Sequence, residues 1–200
     1  SEMCIRDSFA TKHEDAIYFS KRVTRAVPDG GPIEAHTDLV KKLDYECELA
    51  VVLGRDAKDV PAGQTRDYIF GYTILNDVSA RDVQTAHKQW YFGKSLDGFT
   101  PIGPCIVTAD AFADYPPRLG IRSFVNGEKR QDSNTALQIF DIDHVIAELS
   151  QGMTLKAGTI IATGTPAGVG MGMDPPQFLK PGDVVRCEIE GIGTLTNPVK

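Results

Sequence analysis

The chain has 200 residues, enough for one domain with a real core, or at most a domain and a half. Its 42% apolar and 24% charged content argues against disorder, and a net charge of -6 without a basic cluster argues against nucleic acid or an anionic membrane as partner. No apolar run is long enough for a transmembrane helix, the first residues lack an apolar secretory segment, and the cysteines at 4, 47, 105 and 187 form no C-x-x-C pair, so reduced cytoplasmic thiols are expected rather than a disulfide framework or zinc site.

Nineteen Gly and twelve Pro imply many tight turns and hence a strand-rich fold. Residues 1–15 are polar and show no period. Residues 16–20 form a short apolar-aromatic run, and Val27-Pro28-Asp29-Gly30-Gly31-Pro32 marks a turn. Residues 43–53 alternate: Tyr45, Cys47, Leu49, Val51 and Leu53 face one way, Glu46, Glu48, Ala50 and Val52 the other, and Gly54 ends the strand. Residues 61–69 predict a short helix with Pro61 in its first turn, and residues 72–77 a strand. Residues 80–100, polar and aromatic with the single Trp, read as an ordered loop. Residues 119–125 and 128–132 predict a hairpin about Asn126-Gly127.

Asp141 suits a helix N-cap, followed by Ile142, Val145, Ile146 and Leu149 at helical spacing, with Gly152 closing the helix. Lys156-Ala157-Gly158 and Lys180-Pro181-Gly182 each read as a turn into a strand, with Gly at the position a type II turn favours. The last strands are expected at 184–189 and 194–199, joined across Gly191 and Gly193. The sum is a mainly-β α+β domain with two or three short helices.

The most informative segment is Tyr45-Glu46-Cys47-Glu48-Leu49. A strand puts Glu46 and Glu48 on one face, about 7 Å apart. Two convergent carboxylates are tolerable if a divalent cation sits between them; the blander and commoner arrangement is an exposed edge strand with a wet face. Asp77, in Leu75-Asn76-Asp77-Val78, adds a third carboxylate. Acidic oxygens without a His/Cys cluster favour Mg²⁺, Mn²⁺ or Ca²⁺ over Zn²⁺.

Arg81, Gln84, His87, Lys88 and Lys94 crowd the next segment, as suits a small anionic, carboxylate-bearing substrate, although surface solvation is the alternative for each and the better one for Lys88. Lys94 follows Trp90-Tyr91-Phe92-Gly93 and so is shielded; such a lysine can balance an enolate or move a proton. The Gly-rich segment Thr163-Gly164-Thr165-Pro166-Ala167-Gly168-Val169-Gly170 fits neither a P-loop nor a dinucleotide fingerprint. It is either a tight turn or a loop whose backbone N–H groups and Thr165 hydroxyl hold a carboxylate or oxyanion. No G-x-S-x-G elbow is present; Cys47 belongs to the core, His36 to a turn and His144 to an exposed helix surface.

Asp44-Tyr45-Glu46-Cys47-Glu48-Leu49-Ala50-Val51-Val52-Leu53-Gly54 and Gly71-Tyr72-Thr73-Ile74-Leu75-Asn76-Asp77-Val78-Ser79-Ala80-Arg81-Asp82 together resemble the fumarylacetoacetate hydrolase family. So do Gly93-Lys94-Ser95-Leu96-Asp97, the 163–170 loop and the Lys180-Pro181-Gly182-Asp183 turn, in the same order, over residues 17–200. The resemblance implies a mixed β-sandwich roll with a few short peripheral helices. It implies Glu46, Glu48 and Asp77 as ligands of Mg²⁺ or a similar ion, Lys94 and Thr165 as catalytic residues, and Arg81, Gln84, Lys21 and Gly164 as substrate-binding. It further implies a cytoplasmic homodimer that cleaves C–C bonds in acylpyruvates or other β-diketo acids through a metal-stabilised enolate. Relatives that decarboxylate oxaloacetate or isomerise dienoates supply the alternative.

The sequence departs from the family at its start. The family's general base is a His paired with a Glu on an upstream Asn-Tyr-x-x-His-x-x-Glu segment; here only His13-Glu14-Asp15-Ala16 contains a nearby His, too close to Ile17 for the match. Residues 1–15 are therefore expected to be non-family, and residues 16–200 to be the catalytic domain of an N-terminally truncated member. Met3-Cys4-Ile5-Arg6-Asp7-Ser8 is also what one frame of a transposon-derived sequencing adapter encodes. A chain without the dyad can also be an impaired fragment that only binds metal and ligand.

Overall fold

A computed structural model describes residues 15–200; Cys4, His13, Glu14 and the expected boundary of a non-family segment lie outside or at the edge of them. The strands are β1 (Leu43–Asp44), β2 (Cys47–Leu53), β3 (Ile69–Asn76), β4 (Ser79–Ala80), β5 (Ile102–Thr108), β6 (Gly120–Val125), β7 (Glu128–Asn134), β8 (Ile160–Ala162), β9 (Val184–Ile189) and β10 (Gly193–Pro198). The helices are α1 (Arg81–Ala86), α2 (Tyr91–Lys94) and α3 (Ile142–Ser150). This is the expected mainly-β α+β architecture. Two antiparallel four-stranded sheets, ordered β5-β3-β2-β8 and β10-β9-β6-β7, enclose the core, and β1 pairs with β4 beside them.

β2 decides the geometry. Cys47, Leu49, Val51 and Leu53 pack into the core with Ile121, Cys187 and Ile189 of the second sheet. The opposite face is covered as well, so every residue of β2 is buried. This excludes the edge-strand alternative for Glu46 and Glu48, which are 6% and 3% exposed. The strand expected over 43–53 is interrupted after Asp44, where β1 leaves to pair with β4. The interruption lets the Glu46 amide donate to Asn76 Oδ1 at 2.9 Å, and the Asp77 amide donate to Glu46 O at 2.8 Å.

Other segments follow the sequence to different degrees. Asn126 and Gly127 both take positive φ and close the β6–β7 hairpin. Asp141 caps α3 by accepting from the His144 amide at 2.8 Å. Gly158 and Gly182 sit at φ +84° and +96° in their turns. The helix expected over 61–69 is only a 3-10 turn at Thr65–Tyr68, because Gly63 turns the chain at φ +83°. The loop expected over 80–100 contains α1 and α2, each too short for a helical period to show. β3 begins earlier than expected and ends before Asp77, and β5 is an additional edge strand.

Candidate metal centre and active site

Glu46 immediately precedes β2, Glu48 is its second residue, and Asp77 follows the end of the neighbouring β3. One carboxylate oxygen from each lies within 4.8 Å of the other two, and all three residues are buried. Around them stand three cations. Arg81 Nη1 meets Glu46 Oε1 at 2.6 Å, and Arg81 Nε meets Asp44 Oδ2 at 2.9 Å. Lys94 Nζ bridges Asp77 Oδ2 at 2.6 Å and Glu46 Oε2 at 3.0 Å. Lys21 Nζ meets Asp77 Oδ1 at 2.6 Å and donates to Phe99 O at 2.6 Å.

Local structure explains each placement. Arg81 and Gln84 occupy one face of α1, where Arg81 Nη1 donates to Gln84 Oε1 at 3.2 Å. A Cβ on Gly93 would lie 2.6 Å from the Gln84 amide, so only glycine lets α2 pack this closely and deliver Lys94. Lys94 Nζ lies 5.3 Å from the Phe19 ring centroid, and Phe19 packs edge-on against Trp90, which makes the expected shield; Lys94 is 2% exposed. His87 packs on Phe92, His144 on Phe140, and His36 bonds Asp97 O.

The acids outnumber the cations, and a proton on Glu48 makes up the difference. Four buried carboxylates (Asp44, Glu46, Glu48, Asp77) face three cations (Lys21, Arg81, Lys94). Among the described residues no cationic side chain pairs with Glu48; the Gly164 amide donates to its Oε2 at 2.8 Å. Burial, with the Asp77 and Glu46 charges, pushes Glu48 up to about 8. Burial also pushes Asp77 upward, but Lys21 and Lys94 outweigh it and hold that carboxyl at about 2. Burial lowers Lys94, yet Asp77 and Glu46 more than compensate and its pKa lies above the ordinary value. Burial, partly offset by Asp77 and reinforced by the Lys94 charge, leaves Lys21 below its ordinary value. Three hard oxygen donors, one of which keeps a proton that a metal would displace, fit a divalent cation, and Glu46, Glu48 and Asp77 are the residues that would hold it.

The 163–170 loop supports this centre from behind. Gly164 holds Glu48. The Thr165 hydroxyl donates to Cys47 O at 2.9 Å and accepts from Gln131 Nε2 at 2.7 Å, so in this arrangement it points at strand β2; the cavity is lined from this part of the chain by Thr163 and Met171. Lys21, Arg81, Gln84 and Lys94 all line the cavity.

Two supporting residues escaped the sequence reading. Asp44 accepts from Arg81 Nε and from the amides of Gly170 and Met171, tying β1 to the loop. Gln131 is fully buried and binds Cys47 N, Ser123 Oγ, Thr165 Oγ1 and Pro166 O. Asp44 begins the acidic motif, but no local signal marks it as buried. Gln131 sits in Glu128-Lys129-Arg130-Gln131-Asp132, which reads as a solvated return strand and carries no local signal.

Fold and site together define a mainly-β roll built round a buried three-carboxylate centre. The chain belongs to the fumarylacetoacetate hydrolase family: the family model described as "Fumarylacetoacetate (FAA) hydrolase C-terminal" matches residues 4–200. It is 45% identical over 186 residues to oxaloacetate tautomerase YisK of Bacillus subtilis, covering 93% of this chain and 62% of that protein. Among solved structures, fumarylacetoacetate hydrolase from psychrophilic Exiguobacterium antarcticum superposes with a TM-score of 0.84 at 51% identity, covering 86% of this chain and 62% of that one. The 5-carboxymethyl-2-hydroxymuconate delta-isomerase from Mycobacterium smegmatis does so with a TM-score of 0.83 at 43% identity, covering 94% and 70%. The chain thus spans about 62% of the length of curated relatives it matches. No helix among the described residues is long and apolar enough to cross a membrane.

Proposed function

We propose that the protein is a divalent-metal-dependent enzyme, with Mg²⁺ as the ion, that forms and stabilises the enolate of a small anionic keto acid. The observation that carries this reading is the burial of Lys21, Lys94 and Arg81 around Glu46, Glu48 and Asp77 on one cavity wall. Bound there, the cation supplies Lewis acidity toward a 2-oxo acid. Arg81 and Gln84 orient the substrate carboxylate. Lys94 places positive charge where enolate charge develops, and Lys21, on the other side of Asp77, is positioned to carry the proton. Phe19 and Trp90 keep water from Lys94.

Proton transfer, as in a tautomerase or isomerase, is the branch these side chains serve directly. C–C hydrolysis of an acylpyruvate is the second reading, favoured by the 51% identity to a fumarylacetoacetate hydrolase. Incubation with Mg²⁺ and either enol-oxaloacetate or an acylpyruvate separates them. Faster loss of the enol absorbance supports proton transfer, release of two acids supports hydrolysis, and carbon dioxide supports decarboxylation. No Mg²⁺-dependent change with any substrate contradicts the enzyme reading. A homodimer is part of the proposal; sedimentation as a monomer contradicts it.

A further inference from the structure

The cavity has two chemically different ends. Its volume is about 490 Å³, within the range of small-molecule sites. The face of β2 that carries Glu48 continues with Ala50 and Val52, and strand pairing sets the row beside them: Leu75 opposite Glu48, Ala162 opposite Ala50, Ile160 opposite Val52. Each step of two residues advances about 7 Å. The wall therefore changes from carboxylates to aliphatic side chains along the strand. Val145 and Leu149, one turn apart on α3, and Leu155 line the same cavity. Ile160 remains 48% exposed despite being apolar.

Charge follows the same division. The three cations that line the cavity, Lys21, Arg81 and Lys94, are all bound to carboxylates at the acidic end. Among the described residues no other Lys, Arg or His lines it. A second carboxylate on the substrate would be desolvated against Ile160 and Leu149 with no cation at that end to pair with it.

We infer that the aliphatic arm takes the tail of the substrate, so that the preferred ligand is a keto acid with an unbranched apolar acyl chain rather than a dicarboxylate. This rests on the proposed keto-acid reading and deepens it. Trp90, the chain's single tryptophan, lines the cavity and reports binding by fluorescence. The protein with Mg²⁺ would be titrated with oxalate, then acetyl-, butanoyl- and hexanoylpyruvate, then adipoylpyruvate, which matches hexanoylpyruvate but ends in a carboxylate. Affinity should rise about fourfold per added methylene, equivalent to ~0.8 kcal/mol. Adipoylpyruvate should bind at least about tenfold more weakly than hexanoylpyruvate. Ile160→Lys, at a half-exposed edge position, should reverse that order.

Mg²⁺-dependent oxalate binding with no gain along the series, or with adipoylpyruvate binding as well as hexanoylpyruvate, overturns the inference and leaves the keto-acid reading standing. Failure of oxalate itself to bind removes both. The wild-type series decides the matter even if the variant does not fold.

Discussion

At the residue scale, Glu48 is the least settled group in the centre. Its carboxyl is raised from 4.5 to about 8 by burial and by Asp77 and Glu46, so the folded metal-free protein holds a proton that the unfolded chain releases. Between those values the folded state binds more protons, and stability must fall as pH rises. Chemical denaturation of the metal-free protein from pH 5 to 8 should show this decline, and Glu48→Gln should flatten it; an equal slope in the variant contradicts the assignment. Because a metal displaces that proton, Mg²⁺ affinity should rise over the same window. The three acids were legible as a group because alternation puts Glu46 and Glu48 on one face and Asp77 ends an apolar strand, but a solvated edge strand fitted the residues as well, and the resemblance favoured the metal. Their ion-pair partners Lys21 and Lys94 were placed by resemblance and by a shielding aromatic run, while Asp44 and Gln131 were missed because their burial is set by distant segments.

At the scale of elements, the centre depends on how β7 grips the 163–170 loop and β2 together. Gln131 makes this link through three hydrogen bonds and is braced by a fourth to Ser123 of β6. Gln131→Leu keeps the volume and leaves buried partners unsatisfied, at about 1–3 kcal/mol for each orphaned group. We expect a loss of about 3 kcal/mol or more in urea unfolding and weaker Mg²⁺ binding through the displaced Gly164–Glu48 contact; unchanged stability contradicts the role. α3 and the β6–β7 hairpin were legible because a cap, a repeat of apolar positions and an Asn-Gly turn are local signals. α1 and α2 were not, because six and four residues are too few to show a period. β5 was not, because Gly103-Pro104 within it resembles a turn.

At the scale of the whole molecule, a central strand buried on both faces, with the residue just before it, holds two of three carboxylates that share one enclosed site. Alternation within 43–53 told which residues share a face, but not that both faces are covered; only the packing of both sheets and the 17–23 segment decides that. A cation bound solely by the folded state must stabilise it, by about 2.7 kcal/mol at 100 times Kd. Thermal unfolding should therefore shift upward with Mg²⁺ and fall back on chelation, and a melting temperature indifferent to both would contradict a folded-state metal site. The most direct test of the central claim is calorimetric titration of Mg²⁺ into the wild-type protein and Glu46→Ala, with circular dichroism verifying the fold of both. One site per chain in the wild type and no measurable binding in the variant is the predicted result; equal Mg²⁺ affinity in a folded Glu46→Ala protein would contradict it.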